Sequence, residues 1–76
     1  MWEIIGYEEQ KNEEGQLTGI TIYSVKPYRK DQGVGSRSRR DWYRPSEIEY
    51  RPKVGDKVFI ETEVRGKYTI VMDIYQ

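Results

Sequence analysis

Between Tyr28 and Arg44 the chain gathers side chains suited to holding a polyanion: Arg29, Lys30, Arg37, Arg39, Arg40 and Arg44, against the acids Asp31 and Asp41. Guanidinium groups neutralise phosphates and can grip two of their oxygens at once. Tyr28, Trp42 and Tyr43 stand at the two ends of this run. An aromatic face stacks on an unpaired base for about 1–3 kcal/mol. Gly33 and Gly35 lend the segment the backbone freedom to close over a bound strand. A basic groove joined to a stacking platform is the chemistry of single-stranded nucleic-acid binding. Tyr28, Arg29, Lys30, Arg37, Arg39, Arg40, Trp42, Tyr43 and Arg44 are therefore the candidate nucleic-acid-binding residues. A plainer reading stays open beside it: a solvated basic segment, partly neutralised by Asp31 and Asp41, whose Trp42 and Tyr43 anchor it in the core.

Catalytic chemistry has little to work with. The chain contains no histidine and no cysteine, which removes the Ser-His and Cys-His nucleophile pairs and any thiolate metal site. Glu8, Glu9, Glu13 and Glu14 crowd one short stretch, yet they lack the ordered ligand spacing of a calcium loop and read as a solvated turn. Gly33-Val34-Gly35-Ser36 resembles a fragment of a phosphate loop but lacks the Gly-Lys-Ser ending and the helix after it. The expectation is a binding protein and not an enzyme, with no catalytic residues, no metal and no cofactor.

Charge is zero overall and unevenly spread. Residues 1–25 carry one lysine against five glutamates, −4; residues 26–53 carry nine bases against four acids, +5; residues 54–76 carry three bases against four acids, −1. A neutral total thus conceals a basic middle. At 76 residues the chain is expected to be a single domain spanning 1–76. Such a chain buries only about 60% of its unfolded surface, so its core is thin. The absence of disulfides and of any long apolar run points to a cytoplasmic protein that meets no membrane, with dimerisation as a source of added stability.

The elements that must position the basic run read as strands. Trp2 to Glu8 and Gly19 to Val25 form a hairpin around the acidic tip Lys11-Asn12-Glu13-Glu14-Gly15, with Gly15 in a left-handed conformation. Residues 27–46, bracketed by Pro27 and Pro45, show no period before Trp42 and read as a long loop, disordered over 29–41 in the free protein. Ile48 and Tyr50 mark a short third strand, preferred to a helical turn capped by Ser46 and Glu49. After a Val54-Gly55-Asp56 turn, Lys57 to Glu63 and Lys67 to Tyr75 form a terminal hairpin. A three-residue loop of Val64, Arg65 and Gly66 would set Glu63 opposite Lys67, Lys57 opposite Asp73, Ile60 opposite Ile70 and Val58 opposite Met72. That register rejects a two-residue Arg65-Gly66 loop. It sends Ile20, Ile22, Val58, Ile60, Ile70 and Met72 to the core and leaves Thr21, Tyr23, Phe59, Val71 and Tyr75 outside. About five short strands without a convincing helix mean an all-β fold: a small five-stranded OB-like or SH3-like barrel with a long basic loop.

The order of charged hairpin, basic segment, Val54-Gly55-Asp56-Lys57-Val58 and glycine-turned final hairpin resembles the small OB-like single-stranded-DNA-binding proteins of filamentous phages and of Gram-positive phages and plasmids. The resemblance implies an OB-like barrel, a homodimer and cooperative binding along a strand. It would have Arg37, Arg39 and Arg40 track phosphates, with Tyr28, Trp42 and Tyr43 as stacking candidates. The strongly acidic first hairpin departs from that pattern and supports an alternative, a phage- or plasmid-type protein-interaction module (an adaptor or inhibitor) that binds a host protein.

Overall fold

The computed structural model describes all 76 residues. It contains five strands and no helix: β1 (Trp2–Lys11), β2 (Leu17–Pro27), β3 (Ser36–Tyr43), β4 (Lys57–Arg65) and β5 (Tyr68–Tyr75). They form one antiparallel sheet in the order β3-β2-β1-β4-β5, so β3 and β5 are its two edges. The sheet divides at its middle. β1 pairs with β2 along most of its length but with β4 only at Trp2↔Val58 and Glu3↔Lys57. A second tie reinforces this narrow join, because Ile4 donates to the Asp56 carbonyl and accepts from Gly55, each at 2.8 Å. Gly55 supplies the φ of +99° that this turn of the backbone requires.

The period of two decides which side chains are inside. Ile20, Ile22 and Ser24 of β2 are buried while Thr21, Tyr23 and Val25 between them are not. Ile4, Val58, Ile74, Tyr43 and Ile48 complete the core, and Trp2, Leu17, Tyr50, Ile60 and Val71 pack around it. The first hairpin forms as its residues dictate. Asn12 accepts at its side-chain oxygen from the amides of Glu14 and Gln16, and Gly15 adopts φ +81°.

Three sequence expectations are corrected. The long basic loop is cut to residues 28–35, because Ser36 to Tyr43 pair with β2 from Pro27↔Ser36 to Ile20↔Tyr43. No strand forms around Ile48 and Tyr50. Residues 44–56 are an irregular connection, held by Arg51, whose guanidinium donates to the carbonyls of Pro45, Ile48, Glu49 and Tyr50. It opens with a single turn in which the Arg44 carbonyl accepts from Glu47 and Ile48.

The third correction is the terminal register. The hairpin turns on Gly66-Lys67, with Arg65 opposite Tyr68 and Gly66 at φ +60°. A glycine at the first of two central positions is what a type II′ turn requires. An irregularity then sets Glu61 opposite Asp73 but Thr62 opposite Val71, leaving Met72 as the extra residue. Hence Ile70 and Met72 are exposed, Val71 packs on the core and Ile74 is buried. Lys57 faces Glu3 and not Asp73.

Candidate nucleic-acid interface

β3 divides the basic run between two faces. Ser38, Arg40 and Trp42 are exposed on the outer face, whereas Arg37 and Arg39 are half-buried and Asp41 and Tyr43 buried on the inner one. On the outer face Trp42 lies opposite Thr21 and Arg40 opposite Tyr23. The Trp42 indole rests over Gly19, where a methyl group in place of the glycine hydrogen would come within 2.5 Å of its Nε1. That nitrogen donates to Oε1 of Gln10 at 2.9 Å. The Arg44 guanidinium sits 5.1 Å from the Trp42 ring centre, within cation–π range. Arg44 also approaches Glu47 at 3.8 Å, an exposed contact of small energetic consequence.

Tyr23 carries its hydroxyl to the Glu8 carboxylate of β1. The hydrogen bond to Glu8 and partial burial hold its phenol above the ordinary value, while Arg40 beside it acts the other way. The outer face of β1-β2-β3 thus presents an indole, a phenol and two guanidiniums. Trp42 is held from two sides and still 43% exposed, enough for a planar group to reach it.

The inner half of the run has a different environment. Arg39 grips Asp41 with two parallel bonds, Nε to Oδ2 at 2.6 Å and Nη2 to Oδ1 at 2.7 Å. Trp2 lies beneath the guanidinium carbons of Arg39 and Arg37, at 5.1 and 5.6 Å, and beneath Lys26 Nζ at 5.8 Å. Tyr43 is no stacking candidate in this fold. It is 2% exposed, and its hydroxyl donates to the Tyr50 carbonyl at 2.7 Å. Burial pushes its phenol up to about 12, with Arg51 opposing. Tyr50 is raised further, by burial first and then by the hydrogen bond it donates to Asp56.

The remaining candidates lie at the other end of the ladder. Tyr28 packs its ring against Gly33 within the 28–35 loop, where Arg29 and Lys30 are exposed. Pro27 and Thr21, which mark the two ends, are six residues apart on one strand, about 20 Å. The structure therefore brings Arg40, Trp42 and Arg44 together, turns Arg37, Arg39 and Tyr43 inward, and leaves Tyr28, Arg29 and Lys30 a strand length away. Tyr23 and Gln10 also belong to the outer cluster, although neither is among the residues that composition and spacing select. The outward parity of Tyr23 is the available signal; Gln10 offers none.

The sheet edges β3 and β5 face one another without pairing. Between them lies a cleft of about 420 Å³ lined by Trp2, Arg39, Arg40, Asp41, Trp42, Thr69 and Val71. A second, of about 350 Å³, runs past Trp42, Arg44, Tyr68 and Ile70. Trp42 forms part of the wall of both. No group of three or more acidic side chains converges as a metal cage would need, and no helix is long and apolar enough to cross a membrane. Comparison with protein-family models, curated proteins and solved structures found no match to the chain.

Proposed function

We propose that this chain is a non-enzymatic single-stranded nucleic-acid-binding protein, with DNA as its first ligand, built as an OB-like, partly open barrel. The strand order β3-β2-β1-β4-β5 with facing β3 and β5 edges is compatible with a five-stranded barrel left open at one seam. In barrels of that kind the outer face of the second and third strands takes up oligonucleotides. One observation carries the reading: an exposed tryptophan, fixed by Gln10 and Gly19, lies with Arg40, Arg44 and Tyr23 on that face. Aromatic stacking and phosphate neutralisation are then available within one patch.

A homodimer is part of the proposal. The β4–β5 hairpin exposes Phe59, Val64, Tyr68, Ile70, Met72 and Tyr75, with Phe59 and Tyr75 stacked at 5.5 Å. A second copy is the simplest cover for such a surface on so thin a core. A host protein would serve equally in the interaction-module reading, and a stoichiometric, nuclease-resistant partner would favour that alternative.

The test uses Trp2→Phe, which leaves Trp42 as the sole indole. Oligo-dT is expected to quench its emission saturably, and Trp42→Ala to weaken binding by about 1–3 kcal/mol. Unchanged Trp42 emission at saturating oligonucleotide would remove the outer face from the interface.

A further inference from the structure

We infer that Lys26, Arg37 and Arg39 form an oxyanion site above Trp2, on the opposite face of β3 from Arg40 and Trp42, and that its ligand is a phosphate group. The inference rests on the nucleic-acid reading only for the strand as one source of that phosphate; free phosphate is the other.

The β2–β3 register sets Lys26 directly opposite Arg37 and Ser24 opposite Arg39, so the three cations share one face. All three lie within 5.8 Å of a single ring centre, that of Trp2. Like charges placed directly across a ladder repel one another. One acid answers them: Asp41, whose side chain is 7% exposed and fully engaged by Arg39. Lys26 and Arg37 take part in no ion pair. The Arg37 Nε is buried and donates to no acceptor, an uncommon state for a guanidinium nitrogen. Two positive charges are thus held together by the π-face of Trp2 alone, beside the cleft that Trp2 and Arg39 help to line.

An anion offsets that repulsion and accepts from the guanidinium and ammonium N–H groups left over, while the buried Arg37 Nε keeps its place beneath them. Arg39 spends two of its five N–H groups on Asp41 and keeps three. A carboxylate offers two oxygens in one plane, enough for one fork. A phosphate offers oxygens in several directions and can meet Lys26, Arg37 and Arg39 together. The uncompensated charge of two suits a phosphate better than a halide or a carboxylate.

The experiment uses the full chain with Trp42→Phe, so that Trp2 alone reports. Inorganic phosphate is titrated against chloride at matched ionic strength while Trp2 emission is read. Oligo-dT is titrated in parallel, with Trp2 emission read on this variant and anisotropy read on the unsubstituted chain. Arg37→Gln and Lys26→Gln are carried through both arms, the second as a half-buried position with little bearing on folding. A saturable response to inorganic phosphate, weakened about tenfold by either substitution, supports the site with free phosphate as a ligand. Silence with phosphate but a Trp2 response to oligo-dT, lost with Arg37→Gln and Lys26→Gln, supports it with the strand as the source. If neither titrant moves Trp2 emission, the site is overturned, whatever the anisotropy shows. A phosphate response in this variant, without any oligonucleotide binding by the unsubstituted chain, would keep the site and defeat the nucleic-acid reading.

Discussion

At the scale of single residues, neighbouring arginines in one run do unlike things. Arg39 is committed to a bidentate pair with a buried carboxylate, and Arg40, one position on, is exposed beside Tyr23. Composition shows both equally; only strand parity separates them. Replacing Arg40 and Arg44 together with alanine should lower the slope of log affinity against log salt by about 1.4, from about 0.7 for each lost phosphate contact. Binding measured across a salt series reads that slope, and an unchanged slope would mean neither side chain meets phosphate. Tyr43 sets a second expectation. Its phenol is raised from 10.0 to about 12 in the folded chain, so the neutral form is the one the fold favours. That stabilisation is complete below pH 10, the unfolded value, and is lost as pH climbs through about 12. Denaturant midpoints should therefore hold steady to about pH 10 and fall from there to about 12. Tyr43→Phe should cost about 1 kcal/mol at neutral pH, through the hydrogen bond to the Tyr50 carbonyl, and should flatten the alkaline fall.

At the scale of elements, the first hairpin is legible in the sequence and β3 is not, for a physical reason. Strands are usually found by an apolar inner row, and that of β3 reads Arg37, Arg39, Asp41, Tyr43. Three of these are charged, and they are tolerated inside because Asp41 pairs with Arg39 while Trp2 covers the guanidiniums. The Arg-Ser-Arg segment does alternate, but its polarity resembles a solvated loop. Amide exchange should accordingly be slow over the β2–β3 ladder and fast over residues 29–34; fast exchange across 37–43 would restore the loop. The terminal register differs from expectation because charge pairing points one way and the turn another: Gly66 at φ +60° opens a two-residue loop that Glu63 and Lys67 do not reveal. Gly19 links element to site. A methyl there would meet Trp42 Nε1 at 2.5 Å and Gln10 Oε1 at 2.6 Å. Gly19→Ala gains about 0.5–1 kcal/mol of strand propensity and loses about 1 kcal/mol with the Trp42–Gln10 hydrogen bond. The methyl must also push the rigid Trp42 indole off its seat, so the balance is a net loss of stability, with Trp42 emission shifted and oligonucleotide affinity lowered.

At the scale of the whole molecule, the chain is longer and less compact than its size requires. Its extents are 48 × 31 × 20 Å and its radius of gyration is 13.6 Å, against about 11.4 Å expected for 76 residues. The excess reflects hairpins that extend past a shared core joined by two β1–β4 pairs. The apolar β4–β5 surface follows from the same extension, and a second copy would cover it. Sedimentation should give twice the 9.1 kDa chain mass; Ile70→Glu, at a 37% exposed position, should return the monomer without unfolding it. The −4 and +5 segments lie side by side along the β2–β3 ladder, and only the acidic first hairpin tip and the 28–35 loop are at its opposite ends. The most direct test of the nucleic-acid reading is the anisotropy of a labelled oligo-dT strand and of a duplex of equal length, titrated with the protein at low and moderate salt. Binding to the single strand that is tighter than to duplex, weakens with salt and falls further with Trp42→Ala is the predicted result. Absence of binding to either nucleic acid at low salt would contradict it.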